Sequence, residues 1–330
     1  MMRRTLIPIL CALLLTAGCN VHEVPEGGDE FPYVKLTLHL SLPQDLPQYK
    51  TVEYAAKADG SGEARFQVRF YPYVNQNYAE IPIHLFTFNA SELKDQTFTM
   101  DVFPLDYHVE VWADWEGYYD TEEFKLVSVY TDSYKGEDPR RDAFCGSTDL
   151  VFSGYKENIN TQESSMILHR PNARYNIVAT DKEQFLKFWA AHIAQRTGSP
   201  VKEADLIDLN DFKVRILYPQ FLPFVYNMHL GRHVDSVTGV SFDATLQEQE
   251  DGTVQLGWDW VFANDEKSAV VVSVALYEKD GTFINQVDDI HIPLYPGKNT
   301  TVRGNLLSSG VHSGISIDPS FDGEYTVIIN

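Results

Sequence analysis

The sequence predicts an all-β protein made of two tandem β-sandwich domains, the second of which carries one crossover helix. The 330 residues are enough for two domains of ordinary size, and 44% of them are hydrophobic. Aromatic residues reach 13%, and Val, Thr, Tyr and Phe recur throughout, a composition that favours strands. Short runs of alternating apolar and polar residues, separated by turn-like segments, follow one another along the chain.

Residues 1–18 are predicted to be a lipoprotein signal peptide. Two arginines near the start precede an apolar run that is too short to span a membrane. Small residues, Ala17 and Gly18, then stand directly before Cys19. This "TAGC" resembles a lipobox, which implies cleavage between Gly18 and Cys19 and diacylglyceryl transfer to the Cys19 thiol. An ordinary secretory signal followed by a chance cysteine is the alternative.

Residues 19–32 are predicted to be a flexible tether, because they lack apolar periodicity and contain two glycines and four acidic residues. Several acyl chains on Cys19 would give a stable anchor. No aspartate follows Cys19, which favours the outer membrane and, with it, the cell surface. Loss of the signal peptide leaves a net charge of −23. Such a surface argues against nucleic acid and anionic head groups as partners.

The N-terminal domain is predicted to span residues 33–170. In "VKLTLHLSL", residues 34–42, apolar and polar side chains alternate strictly, as in a half-buried sandwich strand. Four further strands are predicted in "EARFQVRFYP", "IPIHLFTFN", "TFTMDVFP" and "YHVEVWAD". The histidines of these strands have no i,i+2 or i,i+4 partner, so no metal site is predicted from His39, His84 and His108.

The stretch "YHVEVWADWEGYYD", residues 107–120, is predicted to be a strand that ends near Trp115, because Gly117 permits a turn. One set of side chains should share a face: Tyr107, Val109, Val111 and Ala113. The opposite face should carry His108, Glu110, Trp112 and Asp114. The aromatic residues are expected to pack on the sheet and turn, and the acidic residues to form the rim of a loop. Three residues near the turn remain candidate ligand contacts: Trp115, Tyr118 and Tyr119.

The C-terminal domain is predicted to span residues 171–330. "RYNIVATD" is the first strand, and Asp181 is expected to cap a helix that stops at Gly198. The apolar face of this helix is predicted to be Phe185, Phe188, Trp189, His192 and Ile193. Strands are predicted to resume in "FKVRILYP", "SFDATLQE", "TVQLGWDWVFA", "AVVVSVALYEKDG", "VDDIHIPLYPG", "NTTVRGNLL" and "EYTVIIN".

Two charged segments suggest packing roles. In "WDW" both tryptophans share a face, which is expected to be the core face, with Asp259 outward. In "RRDAFCG" either Arg140 or Arg141 is expected to form a partly exposed ion pair with an acid of residues 107–120, contributing about 0–1 kcal/mol. Cys145 is predicted to be a buried small hydrophobe, because a catalytic cysteine would need a histidine and a base that the sequence does not place nearby.

No short hydrolase or nucleotide-binding motif is present, since the chain contains no GxSxG, HExxH, P-loop or GxGxxG. Acids for glycoside hydrolysis could come from Asp114, Glu116 and Asp120, but this spacing around a strand end is typical of solvated turns. Calcium at "DWEGYYD" or at Asp288 and Asp289 is left open, although EF-hand spacing is absent. We therefore predict no enzyme, no cofactor and no metal site.

Six segments carry a family resemblance when they are taken in order: "YHVEVWADW", "DTEEFKLVSV", "YKGEDPRRDAFCGSTDL", "ARYNIVATDKEQF", "VRILYPQFLPFVYNM" and "VDDIHIPLYPGKNTTVRGNLLS". Together with the lipobox they resemble fimbrillin-related surface lipoproteins, a superfamily of pilus stalk, anchor and tip subunits and their relatives. The resemblance covers nearly the whole mature chain. It implies two sandwiches of transthyretin-like topology without catalytic residues.

The resemblance also implies a mode of assembly, in which a partner's strand joins a sheet. Stalk subunits of such pili are cut after an arginine behind the first strand. The first arginines after that strand are Arg65 and Arg69, which lie inside the next predicted strand. The chain also continues no further than "EYTVIIN", so no spare C-terminal donor strand is expected. We therefore expect an uncleaved, non-catalytic anchor-like or accessory lipoprotein that acts in adhesion or pilus assembly with fimbrial subunits. A carbohydrate-binding surface lipoprotein with a glycan partner is the alternative.

One modification site is also predicted. "DSV" at residues 235–237 resembles the short Asp-Ser/Thr-apolar signal for O-glycosylation of exported proteins in some bacteria, which makes Ser236 a candidate acceptor.

Overall fold

The computed structural model describes residues 33–46, 63–74, 77–131, 134–152, 161–198, 207–264 and 268–308, and the backbone of 325–329. These residues form 21 strands, one α-helix, α1 (Lys182–Thr197), and two 3₁₀ helices, Pro139–Arg141 and Leu209–Asp211. The prediction of an all-β fold with one helix is confirmed.

Eight strands build the first sandwich: β1 (Val34–Ser41), β2 (Ala64–Val74), β3 (Asn77–Tyr78), β4 (His84–Ala90), β5 (Gln96–Val102), β6 (Tyr107–Trp115), β9 (Phe144–Leu150) and β10 (Thr161–Ile167). One sheet has the order β10-β1-β5, with β1 parallel to β10 and antiparallel to β5. The other has the order β4-β2-β6-β9, and β3 also pairs with β2. One apolar core lies between the two sheets.

Nine strands build the second sandwich: β11 (Asn172–Ala179), β12 (Phe212–Tyr218), β15 (Val240–Ala244), β16 (Gln247–Glu248), β17 (Val254–Phe262), β18 (Ser268–Glu278), β19 (Phe283–Leu294), β20 (Asn299–Gly304) and β21 (Tyr325–Ile329). The sheet orders are β16-β17-β11-β20-β21 and β15-β12-β18-β19. A second apolar core, to which α1 contributes, lies between them.

Helix α1 connects β11 to β12, which lie in different sheets, so the predicted crossover helix is confirmed. The ring centroids of Phe185 and Trp189 in α1 lie 5.1 and 5.5 Å from the ring centroid of Phe212 on β12. The buried face is rotated from the predicted one: Leu186 is buried with Phe185 and Trp189, whereas Phe188 is 59% exposed. At about 100° per residue, Phe188 lies well away from the centre of that face.

The two ends of α1 differ in how far they follow the prediction. Gly198 ends the helix in the left-handed region with φ of 67°, as expected. Asp181 precedes the helix, but its side chain makes no capping bond. Its carboxylate instead accepts hydrogen bonds from the amides of Leu307 and Ser308, at 3.2 and 2.7 Å, and so fastens the segment after β20.

A third sheet joins the two halves of the chain. It contains β7 (Tyr119–Asp120), β8 (Leu126–Val129), β13 (Leu222–Asn227) and β14 (Arg232–Val237) in the order β14-β13-β8-β7. Its apolar side chains share a cluster with Trp112 of β6 and Phe262 of β17. Strand β6 is therefore buried on both faces. The division into two domains near residue 170 stays a prediction. The third sheet takes two strands from before this residue and two from after it.

Candidate functional site

The strongest candidate for a functional site is the groove between β5 and β10, which β1 fills. We call this groove the β1 groove. The alternation predicted for this strand is present, and five apolar side chains are at most 3% exposed: Val34, Leu36, Leu38, Leu40 and Leu42. Leu38 lies opposite Phe98 of β5 and Ser164 of β10. Burial of each Leu or Val contributes about 1.5–3 kcal/mol. The groove is closed by a strand of this same chain.

The first two arginines after β1 are fixed inside β2, between β4 and β6. Arg65 donates two hydrogen bonds to Asp114, at 2.9 and 2.7 Å, and one to the carbonyl of Tyr119. Arg69 is 1% exposed and donates to the carbonyls of Phe124 and Thr121, at 2.6 and 3.1 Å. Both side chains therefore hold the loop after β6 against the sheet.

The acids of β6 are not at the rim of a loop, as the sequence suggested, but fully buried. Glu110 is 0% exposed and is hydrogen-bonded to His229, which follows β13. His108 lies 3.7 Å from the same carboxylate oxygen. Burial alone would raise the pKa of Glu110, but the two imidazoles more than offset it, and the pKa is lowered. The third sheet covers this face of β6, which explains the difference.

Asp114 is the second buried acid of β6. It accepts a 2.9 Å hydrogen bond from Nε1 of Trp112 in addition to those from Arg65. Burial raises its pKa, against the opposing effect of the arginine. Because Arg65 and Trp112 occupy both carboxylate oxygens, Asp114 is a structural anchor. Of the three acids considered for glycoside hydrolysis, this leaves Glu116 and Asp120.

The three candidate ligand contacts near the turn have different environments. Trp115 is half-buried and packs on the first core. Tyr118 is half-buried, donates a 2.6 Å hydrogen bond to Asp138 and lies under the guanidinium of Arg140 at 5.1 Å. Tyr119 is 2% exposed and donates to the carbonyl of Arg141, so its side chain does not reach the surface. Ligand contact by Trp115 and Tyr118 stays a prediction.

The predicted orientation of "WDW" and the predicted partner of the arginine pair were both wrong. Asp259 is 0% exposed and points into the second core, opposite Tyr175 of β11. Arg141 is 4% exposed and donates to Asp259 at 2.5 Å, whereas Arg140 pairs with Asp138. The bulge in the β11–β17 register accompanies this inward turn of Asp259.

The tryptophans of "WDW" lie on the face opposite Asp259. Trp258 is half-buried beneath the guanidinium of Arg174, which lies 4.1 Å from its ring. Trp260 is 5% exposed, and Arg170 lies 6.0 Å from its ring. Arginine guanidinium groups thus lie over the two indoles, on the face of the sheet opposite Asp259.

A loop that sequence reasoning missed connects the two halves. Residues 134–138, which we call the strap, cross from the first half of the chain to the second sandwich. Tyr134 donates to Asp259 at 2.6 Å, and Glu137 accepts a 2.9 Å hydrogen bond from the amide of Thr245. Burial raises the pKa of Glu137 to about 7. The partners of the strap are 108 and 125 residues away in sequence, so no local pattern marks them.

The remaining residues considered for catalysis or calcium binding are Cys145, Asp288 and Asp289. Cys145 is 3% exposed, as predicted, and burial raises the pKa of its thiol to about 12. Asp288 and Asp289 are both exposed on β19. Among the described residues, no group of three or more His, Cys, Asp and Glu side chains has a geometry that could hold a metal ion.

Comparison with known families identifies the chain. The model of a family of unknown function, DUF6562, matches residues 29–330. The chain belongs to this family. None of the curated proteins compared with it matches significantly.

Several solved structures are similar to this DUF6562 protein at low identity. A protein assigned to cell adhesion from Bacteroides eggerthii has 11% identity and a TM-score of 0.45, over 92% of this chain and 100% of that one. The fimbrial anchor protein Mfa2 from Porphyromonas gingivalis has 10% identity and a TM-score of 0.40, over 77% and 82%. A fimbrial assembly protein from Parabacteroides distasonis has 11% identity and a TM-score of 0.35, over 82% of this chain and 90% of that one.

The predicted lipid-attachment residues of the DUF6562 chain, Gly18 and Cys19, lie outside the described residues. Ser236, the predicted glycosylation acceptor, is half-buried on β14, and its amide bonds to the side chain of Asp235. No helix in the described part of the chain has both the length and the apolar character that crossing a bilayer requires.

Proposed function

We propose that this protein is a non-catalytic, lipid-anchored protein of the outer-membrane surface that acts in adhesion or pilus assembly as an anchor-like or accessory subunit. One observation carries the proposal: β1 fills its own groove, and the first arginines that follow it lie inside a sheet on β2, with Arg69 buried and Arg65 half-buried. The subunit thus keeps its first strand.

The fate of β1 separates two roles within the class that the sequence resembles. A stalk subunit loses its first strand to a protease that cuts after arginine, and the empty groove receives a partner strand. Proteases bind an extended, accessible segment, and Arg65 and Arg69 lie in the interior of a sheet. No arginine lies between β1 and β2, because residues 42–63 contain none.

Strand addition by a partner then takes place at an open sheet edge and not in the β1 groove. Backbone groups along such an edge recruit an incoming strand, and alternate side chains give specificity. A subunit that accepts a partner without giving up its own strand ends a polymer or joins it to the membrane. This is the behaviour expected of an anchor-like or accessory subunit.

The membrane attachment rests on residues 1–32. Cleavage before Cys19 and acylation of its thiol would leave 14 residues between Cys19 and the first residue of β1, Val34. A fully extended chain of that length reaches at most about 50 Å. The start of β1 would therefore stay within that distance of the bilayer surface.

The test is intact-mass spectrometry of the surface form, with metabolic labelling by a palmitate analogue. We expect an acylated N-terminus at Cys19 and a mass that retains β1, and we expect Cys19→Ala to lose both label and membrane association. A new N-terminus after Arg65 or Arg69 would overturn the uncleaved role. An unlabelled wild-type protein would overturn the anchor, and failure to co-purify with any fimbrial subunit would count against the assembly role.

A further inference from the structure

Strand β4 is a sheet edge that lacks the features that keep edges from pairing with other chains. Among the described residues it pairs with β2 alone, in an unbroken antiparallel register from Ala64 opposite Ala90 to Phe70 opposite His84. Natural edges are protected by charged side chains, by proline within the strand or by bulges. Residues 84–90, "HLFTFNA", contain none of these.

The surroundings of β4 are uncharged in a strongly acidic chain. Residues 81–91 contain no Asp, Glu, Lys or Arg, although the net charge of the chain is −21. Burial lowers the pKa of His84, which is therefore neutral near pH 7. Four other edge strands each carry an acid: Asp101 on β5, Glu163 on β10, Asp243 on β15 and Asp288 on β19. Repulsion between two copies of this acidic chain is therefore smaller at β4 than at these four edges.

The outward face of this edge is uncharged, with Leu85, Thr87 and Asn89 exposed along β4, and it is aliphatic at the end where the chain enters the strand. Ile81, Ile83 and Leu85 are alternate residues, and they are 61%, 46% and 48% exposed. The amide of Ile83 donates a 2.9 Å hydrogen bond to the carbonyl of Phe70, so the pairing with β2 extends to that residue. Large aliphatic side chains in a row on an exposed strand favour contact with a matching surface.

The inward face of β4 carries aromatic side chains at the open edge of the sheet. Phe86 and Phe88 are half-buried and stack with centroids 6.2 Å apart, and Phe88 stacks on Phe98 of β5 at 4.3 Å. These rings form the border of the first core. A strand added beside β4 would shield these rings, and Ile83 and Leu85 on the outer face, from water.

We propose that β4 pairs antiparallel with β4 of a second copy of this chain, around a two-fold axis at Leu85. A two-fold contact must be self-complementary, and an uncharged strand with an aliphatic residue on its axis meets that condition. Leu85 then lies opposite its own counterpart, and Ile83 of each copy lies diagonally beside it. The two sheets that contain β4 become one continuous sheet. This pairing does not depend on the proposed function, because it requires neither lipid nor another subunit.

The test uses the mature chain with Cys19→Ser, studied by sedimentation velocity from about 1 μM to 1 mM. We expect a concentration-dependent dimer and expect Leu85→Lys to raise its dissociation constant at least about tenfold, because like charges then face each other across the axis. The matched control is Thr99→Lys on β5, an exposed residue of another edge, which should leave the dimer unchanged. A wild-type monomer at every concentration would overturn the proposal, as would equal weakening by both variants.

A cysteine at the same position provides a second readout that does not require a change in stability. Under mild oxidation Leu85→Cys should form a disulfide-linked dimer, whereas Thr99→Cys should stay monomeric. Cys145 is 3% exposed and does not compete. Circular dichroism of both variants should match the parent, because both side chains are exposed. Equal cross-linking of the two variants would show that the contact is elsewhere.

Discussion

The hydroxyl of Tyr134 donates a 2.6 Å hydrogen bond to Oδ2 of Asp259, 125 residues further along the chain. The same oxygen accepts a 2.7 Å hydrogen bond from Tyr218, and the other oxygen pairs with Arg141. Burial raises the pKa of Asp259, and these three donors oppose that rise. The strap is thus fixed in the second core by one carboxylate.

Asp259→Asn should destabilise the protein strongly. The guanidinium of Arg141 would remain buried without a charged partner, and breaking such a pair costs about 3–5 kcal/mol. The free energy of unfolding in urea at pH 7 checks this. Asp243→Asn is the control, because Asp243 and Arg215 are 63% and 50% exposed and contribute about 0–1 kcal/mol. Similar losses in the two variants would contradict a buried anchor.

Gly136→Ala should weaken the docking of the strap. A Cβ atom at this position would lie 2.2 Å from Cε2 of Phe242. Overpacking of this kind costs about 1–3 kcal/mol. Thermal unfolding of Gly136→Ala, Phe242→Leu and the double variant forms the measurement. The double variant should lose less than the sum of the single losses, since the smaller side chain makes room. If the loss of stability in the double variant equals the sum of the two single losses, the added methyl group does not clash with Phe242.

Glu137 should make stability fall as the pH rises. Burial raises its pKa from 4.5 to about 7, so the folded protein keeps a proton that the unfolded chain releases. The contribution of Glu137 to stability is therefore fully present below about pH 4.5, declines through pH 7 and then levels off, a change on the order of 1–3 kcal/mol. The difference in unfolding free energy between wild type and Glu137→Gln, measured from pH 4 to 8, isolates this group. A difference that does not change with pH would refute it.

Asp114→Asn should affect stability without affecting any chemistry. The substitution removes the charge that faces Arg65, which is 15% exposed, and should cost about 2–4 kcal/mol. Asp120→Asn is the matched control, because Asp120 is half-buried and bonds locally to the amide of Glu122. Urea unfolding checks the energies. Sugar release from a glycan panel by wild type, abolished in the Asp114 variant, would restore the hydrolase hypothesis.

Much of the fold could be predicted from local patterns. Strict alternation located β1 and β6, and an apolar helical period followed by Gly198 located α1. The resemblance to fimbrillin-related lipoproteins gave the sandwich class. These features are local because strands and helices impose periods of 2 and 3.6 on side-chain direction.

The environment of single residues could not be predicted in the same way. Alternation showed that Glu110, Trp112 and Asp114 share a face of β6, but a strand pattern does not say whether a second layer covers that face. The covering strand β13 begins more than 100 residues later. Acidic residues on an uncovered face would be solvated, and under a third sheet they become buried partners of Arg65 and His229.

The sequence by itself determined the strand composition, the alternating faces and the signal-like start, because each depends on neighbours in the chain. Only the tertiary structure decided that Asp259 points inward, that Tyr119 is buried and that the strap crosses to the second sandwich. The physical reason is that burial and charge pairing arise between segments far apart in sequence. Which polar side chains end up inside is therefore settled by packing.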